Sequence, residues 1–104
     1  MIAILNSTIL TSFGNFSYTP LEINEAKKLL SEGFESFVGH DATNKMIELL
    51  LDVEVPYSRE MYKQDTGAKA IVFKLNKRLD EGELLNTKEA IEEIGYTMGL
   101  LIKN

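Results

Sequence analysis

The sequence predicts an α/β fold: a single domain over residues 1–104, with a mixed β-sheet of about five to six strands flanked by three helices. Runs typical of strands alternate with helical spacings along the chain. The turn signal Asp65-Thr66-Gly67 predicts at least one antiparallel strand pair within the sheet. With 104 residues, 44% of them hydrophobic and 26% charged, the chain has the size and composition of one globular domain.

The first half of the chain contains three predicted strands and two predicted helices. The strands are one unbroken apolar run and two alternating runs: Ile2–Leu5, Phe16–Thr19 and Phe34–Val38. Residues 6–15 are rich in Asn, Ser, Thr and Gly, which predicts a loop or a short irregular strand. Apolar residues at helical spacing predict a helix over Ile23–Leu30 that ends near Gly33, and a second helix that starts near Asp41.

The second half contains three more predicted strands and one helix. An edge strand is predicted over Arg59–Gln64, with a hairpin turn after it, and a closing strand over Tyr96–Ile102. Ala70–Leu75 is the strongest strand candidate and is expected at the centre of the sheet. After a charged loop over residues 76–83, Asn86 and Glu89 have the spacing of a capping box at the start of the third helix. A sheet this small leaves apolar surface uncovered, which favours a homodimer.

Composition excludes several functional classes. The chain has no cysteine, which rules out disulfides, a thiolate zinc site and a cysteine nucleophile. One histidine cannot build a polyhistidine metal cluster, so we predict no metal and no cofactor. The net charge of −5 argues against a duplex nucleic acid as partner. No basic leader and no apolar run of ~20 residues is present, so a cytoplasmic protein without a membrane partner is expected.

The strongest candidate for chemistry is His40, between a predicted strand and a predicted helix. Gly39 permits a close approach of the backbone to a ligand, and the free amides of the helix start favour a phosphate. An imidazole can donate or accept a proton near neutral pH. Asp41 and Thr43 can cap the helix or orient the ring. The structural alternative is that His40 is only a polar residue at a helix start.

Two other groups of residues suit the same anionic ligand. Arg78 carries a planar guanidinium that fits a phosphodiester, and Glu81 can hold that guanidinium or accept a hydrogen bond from a ribose hydroxyl. Asn6 and Ser7 follow the first strand and can contact a base edge or a phosphate. The alternatives from residue type alone are a solvated charged loop and a simple turn.

Three segments together resemble the viral ring nucleases, small anti-CRISPR proteins of archaeal viruses, bacterial phages and mobile elements. The matching segments are Ile4-Leu5-Asn6-Ser7, Val38-Gly39-His40-Asp41-Ala42-Thr43 and Lys77-Arg78-Leu79-Asp80-Glu81-Gly82. The resemblance covers essentially the whole chain. It implies a homodimeric, metal-independent phosphodiesterase that degrades cyclic tetra-adenylate, the messenger of type III CRISPR defence. Such an enzyme of a virus would act in the cytoplasm of the host cell.

The resemblance also implies roles for single residues. His40 matches the catalytic histidine, the general acid, and Arg78 and Glu81 match the active-site arginine and glutamate. Asn6 matches a ligand-contacting asparagine, and the helix start at Ala42 and Thr43 matches the segment that holds the ligand. Some relatives have a serine at the position of Ala42, so a hydroxyl contact is missing here.

Two other classes of function remain open at the level of sequence. A binding module that sequesters a cyclic nucleotide uses the same pocket residues without cutting the ring. A regulatory or structural protein of a mobile element acts instead through its dimer surface on another protein. Analysis of the ligand after incubation separates the first alternative from an enzyme, and failure to bind any cyclic oligoadenylate favours the second.

Overall fold

The computed structural model describes residues 2–6, 8, 10, 12–39, 41–56, 58, 61–76 and 87–104, with Asp41 described by its backbone. Within these residues the chain forms five strands and three helices. In chain order they are β1 (Ile2–Leu5), β2 (Phe16–Pro20), α1 (Ile23–Leu30), β3 (Phe34–Ser36), α2 (Asp41–Leu51), β4 (Lys69–Leu75), α3 (Lys88–Ile94) and β5 (Tyr96–Lys103). The predicted α/β class with a mixed sheet and three helices is confirmed.

The five strands form one mixed sheet in the order β2-β5-β4-β1-β3. β1 pairs in parallel with both β3 and β4, while β5 runs antiparallel to β4 and to β2. β4 is central, as predicted, because its residues from Ala70 to Phe73 are buried on both faces of the sheet. The carboxyl ends of β1, β3 and β4 and the amino end of β5 therefore meet at one edge of the sheet, here called the carboxyl edge.

The two faces of the sheet are covered differently. Buried residues of all three helices pack with one set of alternating strand residues that includes Ile4, Ile71, Phe73 and Met98. The opposite set of strand residues packs against the side chains of Phe16, Phe37 and Tyr62, which come from β2 and from loops. One face thus carries the helical layer, and the other is covered by single side chains.

The segment before β4 differs from the prediction. An edge strand was expected over Arg59–Gln64, but Met61–Gln64 forms no strand, and Arg59 lies outside the described residues. The alternation has another cause: the Tyr62 ring packs against Phe37 in a tilted arrangement, with centroids 4.9 Å apart, and Gln64 donates from Nε2 to the Ala68 and Leu101 carbonyls. The next residues do form a turn, with Gly67 at φ 86°. It is not a hairpin, and both antiparallel pairs involve β5 instead.

Two boundaries also differ. β3 ends at Ser36 rather than at Val38. The Phe37 amide still donates to the Ile4 carbonyl of β1, whereas the Val38 amide donates to the Ser36 hydroxyl at 3.3 Å, so regular pairing stops here. The N-cap of α3 is Thr87, whose hydroxyl accepts a hydrogen bond from the Ala90 amide at 3.2 Å. The N-cap predicted at Asn86 is therefore wrong by one residue, and Asn86 lies outside the described residues. The predicted capping box is wrong as well, because the third residue after Thr87 is Ala90 and not Glu89.

Candidate functional site

A surface pocket of about 370 Å³ opens at the carboxyl edge of the sheet. In open α/β sheets, ligands bind outside the carboxyl ends of the strands, because the loops that follow the strands converge there. The pocket is lined by the residues where β1 and β4 end, where β5 begins and where α2 begins. These are Asn6, Thr43, Met46, Phe73, Lys74, Leu75, Asn76 and Thr97.

The floor of the pocket is apolar and formed by core residues. Phe73 and Met46 are 1% and 2% exposed and belong to the core on the helical face. Phe73 also stacks on Tyr96 with ring centroids 5.6 Å apart. Burial raises the pKa of the Tyr96 hydroxyl, and the nearby Glu92 carboxylate adds to this effect, so the ring stays uncharged at neutral pH.

The rim of the pocket carries the polar groups. Asn6 and Thr43 are half-buried, and Lys74, Asn76 and Thr97 are exposed. Lys74 places a positive charge at the rim, although the whole chain has a net charge of −5. A pocket with an apolar floor and a polar rim bearing a cation suits a ligand that combines an aromatic base with phosphate.

Asn76 is held in place by the start of β5. The backbone amide of Asn76 donates to the Gly95 carbonyl at 2.9 Å. The Thr97 hydroxyl donates to the Asn76 Oδ1 at 3.4 Å. Gly95 has φ 89°, and a Cβ there would lie 2.6 Å from the Asn76 Nδ2. Glycine at position 95 is therefore needed both for the backbone angle and for the space that the Asn76 side chain occupies.

The structure brings together two of the residues singled out from the sequence. Asn6 and Thr43, which are far apart in the chain, line the same pocket. Ala42 is half-buried in the first turn of α2, and Gly39 is half-buried just before that helix. Asp41 is the first residue of α2, as predicted. Ser7, His40, Arg78 and Glu81 lie outside the described residues.

Three residues of the rim were not predicted from the sequence. Lys74 is part of the strongest predicted strand, and Asn76 and Thr97 stand beside strand ends without any motif. The register pairs Lys74 with Thr97 across β4 and β5, which places both at the rim. Only the pairing of the last strand with the central one could have revealed them.

Among the described residues, no group of three or more histidine, cysteine, aspartate or glutamate side chains is arranged to hold a metal ion. Within those same ranges, no helix has the length and the hydropathy needed to cross a membrane.

A small mixed-sheet α/β protein with a polar pocket at its carboxyl edge is the class that these features define. The chain belongs to the STIV B116-like family, whose model matches residues 2–98. B116 of Sulfolobus turreted icosahedral virus (STIV) has the same fold, with a TM-score of 0.83 over 97% of this chain and 97% of that one. The two sequences are 18% identical, so this similarity supports the fold alone.

Two relatives are closer in sequence. The chain is 42% identical to the uncharacterized protein 26 of Sulfolobus islandicus filamentous virus (isolate Iceland/Hveragerdi), covering 96% of this chain and 89% of that protein. It is 31% identical to the uncharacterized protein YddF of Bacillus subtilis (strain 168), covering 98% of this chain and 96% of that protein. Relatives therefore occur both in a virus and in a bacterium.

Proposed function

We propose that the protein is a ring nuclease: a metal-independent phosphodiesterase that cleaves cyclic tetra-adenylate and thereby ends type III CRISPR signalling. The proposal is carried by one observation. Asn6 and Thr43 belong to two separate segments that resemble the viral ring nucleases, and both line the pocket at the carboxyl edge. Membership of a family with viral relatives agrees with a role in evading host defence, in the cytoplasm of the host cell.

In the proposed reaction the nucleophile belongs to the substrate. A ribose 2′-oxygen attacks the adjacent phosphorus, a new P–O2′ bond forms, and the bond from phosphorus to the 5′-oxygen breaks. His40 as imidazolium gives its proton to the leaving 5′-oxygen, and the proton of the 2′-hydroxyl leaves to a base not yet assigned. Two cuts convert the ring into two linear di-adenylates with 2′,3′-cyclic phosphate ends.

The remaining residues stabilise the charge that grows on the phosphoryl oxygens. Arg78 and the free amides at the start of α2 are the proposed donors, and Glu81 orients the guanidinium. Lys74 adds a cation at the rim of the pocket. A cyclic tetranucleotide has two-fold symmetry, so a homodimer can place one His40 on each side of the ring.

The first experiment follows the fate of the ring. Purified protein in EDTA is incubated with cyclic tetra-adenylate, and the products are separated by chromatography. We expect linear di-adenylate with cyclic phosphate ends. We expect His40→Ala to lose about 10²- to 10⁴-fold in rate and to keep binding the ligand, because only the proton donor is removed.

Each other outcome contradicts part of the proposal. Undiminished cleavage by His40→Ala refutes the assignment of the general acid. Intact ring bound to the wild-type protein points to sequestration, and absence of binding by calorimetry points to a protein that acts through its surface on another protein. Loss of activity in EDTA that is restored by a divalent cation refutes the metal-independent mechanism.

A further inference from the structure

A buried amide on the first turn of α2 reaches back to the chain that precedes the helix. Asn44 is 5% exposed, and its Nδ2 donates to the Val38 carbonyl at 3.3 Å. In the sequence, Val38 stands two residues before His40. The hydrogen bond therefore joins α2 to the peptide that stands two residues before the proposed general acid in the sequence.

The backbone around Val38 is fixed from several sides. The Phe37 amide donates to the Ile4 carbonyl of β1 at 3.0 Å, and the Val38 amide donates to the Ser36 hydroxyl at 3.3 Å. The Val38 carbonyl accepts a second hydrogen bond, from the Ser58 amide at 3.2 Å. The Val38 side chain is itself fully buried. Of the donors Asn44 and Ser58 to the Val38 carbonyl, Asn44 is the one that belongs to α2.

The oxygen of the Asn44 side-chain amide differs from its nitrogen in this respect. Asn44 Oδ1 is buried and has no hydrogen-bond partner within the part of the chain that the structure describes. A buried acceptor without a partner opposes folding, so an apolar residue of similar size would serve stability at least as well. Local costs of this kind are expected where a residue serves function.

We propose that Asn44 is a positioning residue for His40. Its Nδ2 holds the Val38 carbonyl against the start of α2, which sets where the backbone at Gly39 leaves toward position 40. Asn44 does not belong to the lining of the pocket with Asn6 and Thr43, so it acts on the backbone and not on the ligand. This inference rests on the ring-nuclease function proposed above.

Asn44→Leu tests the role, because leucine keeps the volume and removes the donor. Gln64→Leu is the matched control: Gln64 is also a buried amide that donates to backbone carbonyls, those of Ala68 and Leu101. We expect Asn44→Leu to lower kcat for cyclic tetra-adenylate by about ten- to a hundredfold with KM nearly unchanged, as for a misplaced catalytic group. We expect Gln64→Leu to leave kcat near that of the wild type.

A second readout needs no substrate. His40 is the only histidine of the chain, so its ring protons give a single set of imidazole signals in an NMR spectrum. We expect these signals to shift in Asn44→Leu and to stay in place in Gln64→Leu. Asn44→Ala, which also removes the donor, gives the same comparison if the leucine variant does not fold.

The outcomes separate this inference from the proposed function. If the wild type cleaves the ring and both variants lose kcat equally, or neither does, the positioning role is refuted. If the imidazole signals of the Asn44 variants match those of the wild type, it is refuted as well. If the wild type cleaves no cyclic oligoadenylate, the proposed function fails, and the shift of the imidazole signals still shows whether Asn44 places His40.

Discussion

Two lysines on the central strand differ in what surrounds them, and so they give a direct test of the pocket. Lys74 and Lys69 are both exposed on β4, but Lys74 lines the pocket at the carboxyl edge while Lys69 lies at the other end of the strand. We expect Lys74→Ala to weaken binding of cyclic tetra-adenylate and to reduce its dependence on salt, because a cation near phosphate is lost. Calorimetry at two salt concentrations measures both effects.

Lys69→Ala is the control for this prediction. It removes the same charge from the same strand, so a general effect of the net charge on an anionic ligand would appear equally in both variants. Equal loss of affinity in the two variants would contradict the placement of the ligand at the carboxyl edge.

Residue types alone indicated part of the candidate site. Asn6 and Thr43 were predicted from their places after a strand and at a helix start, and both line the pocket. Lys74 and Thr97 could not be predicted in this way, because their nearness depends on the antiparallel register of β4 and β5. A register between distant strands is set by the packing of the whole sheet, and one sequence does not display it.

At the level of elements, one carboxylate connects the three helices. Asp52 follows α2, and its oxygens lie 3.0 Å from the Lys27 Nζ of α1 and 3.8 Å from the Lys88 Nζ of α3. The hydrogen bond from Lys27 and the charges of both lysines lower the pKa of the Asp52 carboxyl. A carboxyl with a lowered pKa in the folded state stabilises that state when ionised.

We therefore expect Asp52→Asn to reduce the free energy of unfolding slightly at neutral pH. The difference from the wild type should vanish as the pH falls through the lowered pKa of Asp52, because both proteins are then uncharged at this position. High salt should also reduce it, since the pair is exposed. Asparagine suits the backbone here, where φ is 53°. Urea unfolding at neutral and acidic pH, with and without salt, measures the effect.

Glu54→Gln is the control for Asp52→Asn. Glu54 is an exposed carboxylate nearby that makes no ion pair within the described ranges of the chain. A pH-dependent loss of stability as large in Glu54→Gln as in Asp52→Asn would contradict the role of the helix connection.

Elements with strong and long patterns were predicted best. β1, α1, α2, β4 and β5 are found where the apolar runs and helical spacings placed them. The expected strand over Arg59–Gln64 was wrong in its described part because period-two burial also arises in a loop. There Tyr62 and Gln64 turn inward to cover the sheet, whereas Met61 and Lys63 point to solvent. An alternating pattern of apolar and polar residues indicates burial on one side of the segment, but it does not show that the segment forms the hydrogen bonds of a strand.

For the whole molecule, the proposed homodimer predicts a stoichiometry. Leu10 and Phe13 are 62% and 102% exposed, and with Phe16 they line a shallow pocket of about 570 Å³. Exposed apolar side chains that lie together on one surface are typical of an interface, whereas a single one is not. We expect light scattering to give twice the chain mass of 11.7 kDa, and calorimetry to give one cyclic tetra-adenylate for two chains.

Phe13→Ser tests this prediction without disturbing the core, because the Phe13 side chain is fully exposed in the single chain. It should weaken the dimer and reduce the affinity for the ring together, while Met61→Ser, at a similarly exposed residue, should change neither. A monomeric wild type that binds one ring per chain would contradict the symmetric site.

The order of the strands has a consequence for how the chain is made. β1 lies between two strands that are synthesised after it, and β2 finds its partner only in the last strand of the sheet. Without β5, β2 has no partner in the sheet and β4 loses one of its two neighbours, so the sheet is reduced to β4, β1 and β3. We therefore expect a nascent chain that stalls before Tyr96 to remain more sensitive to proteases than one that includes β5.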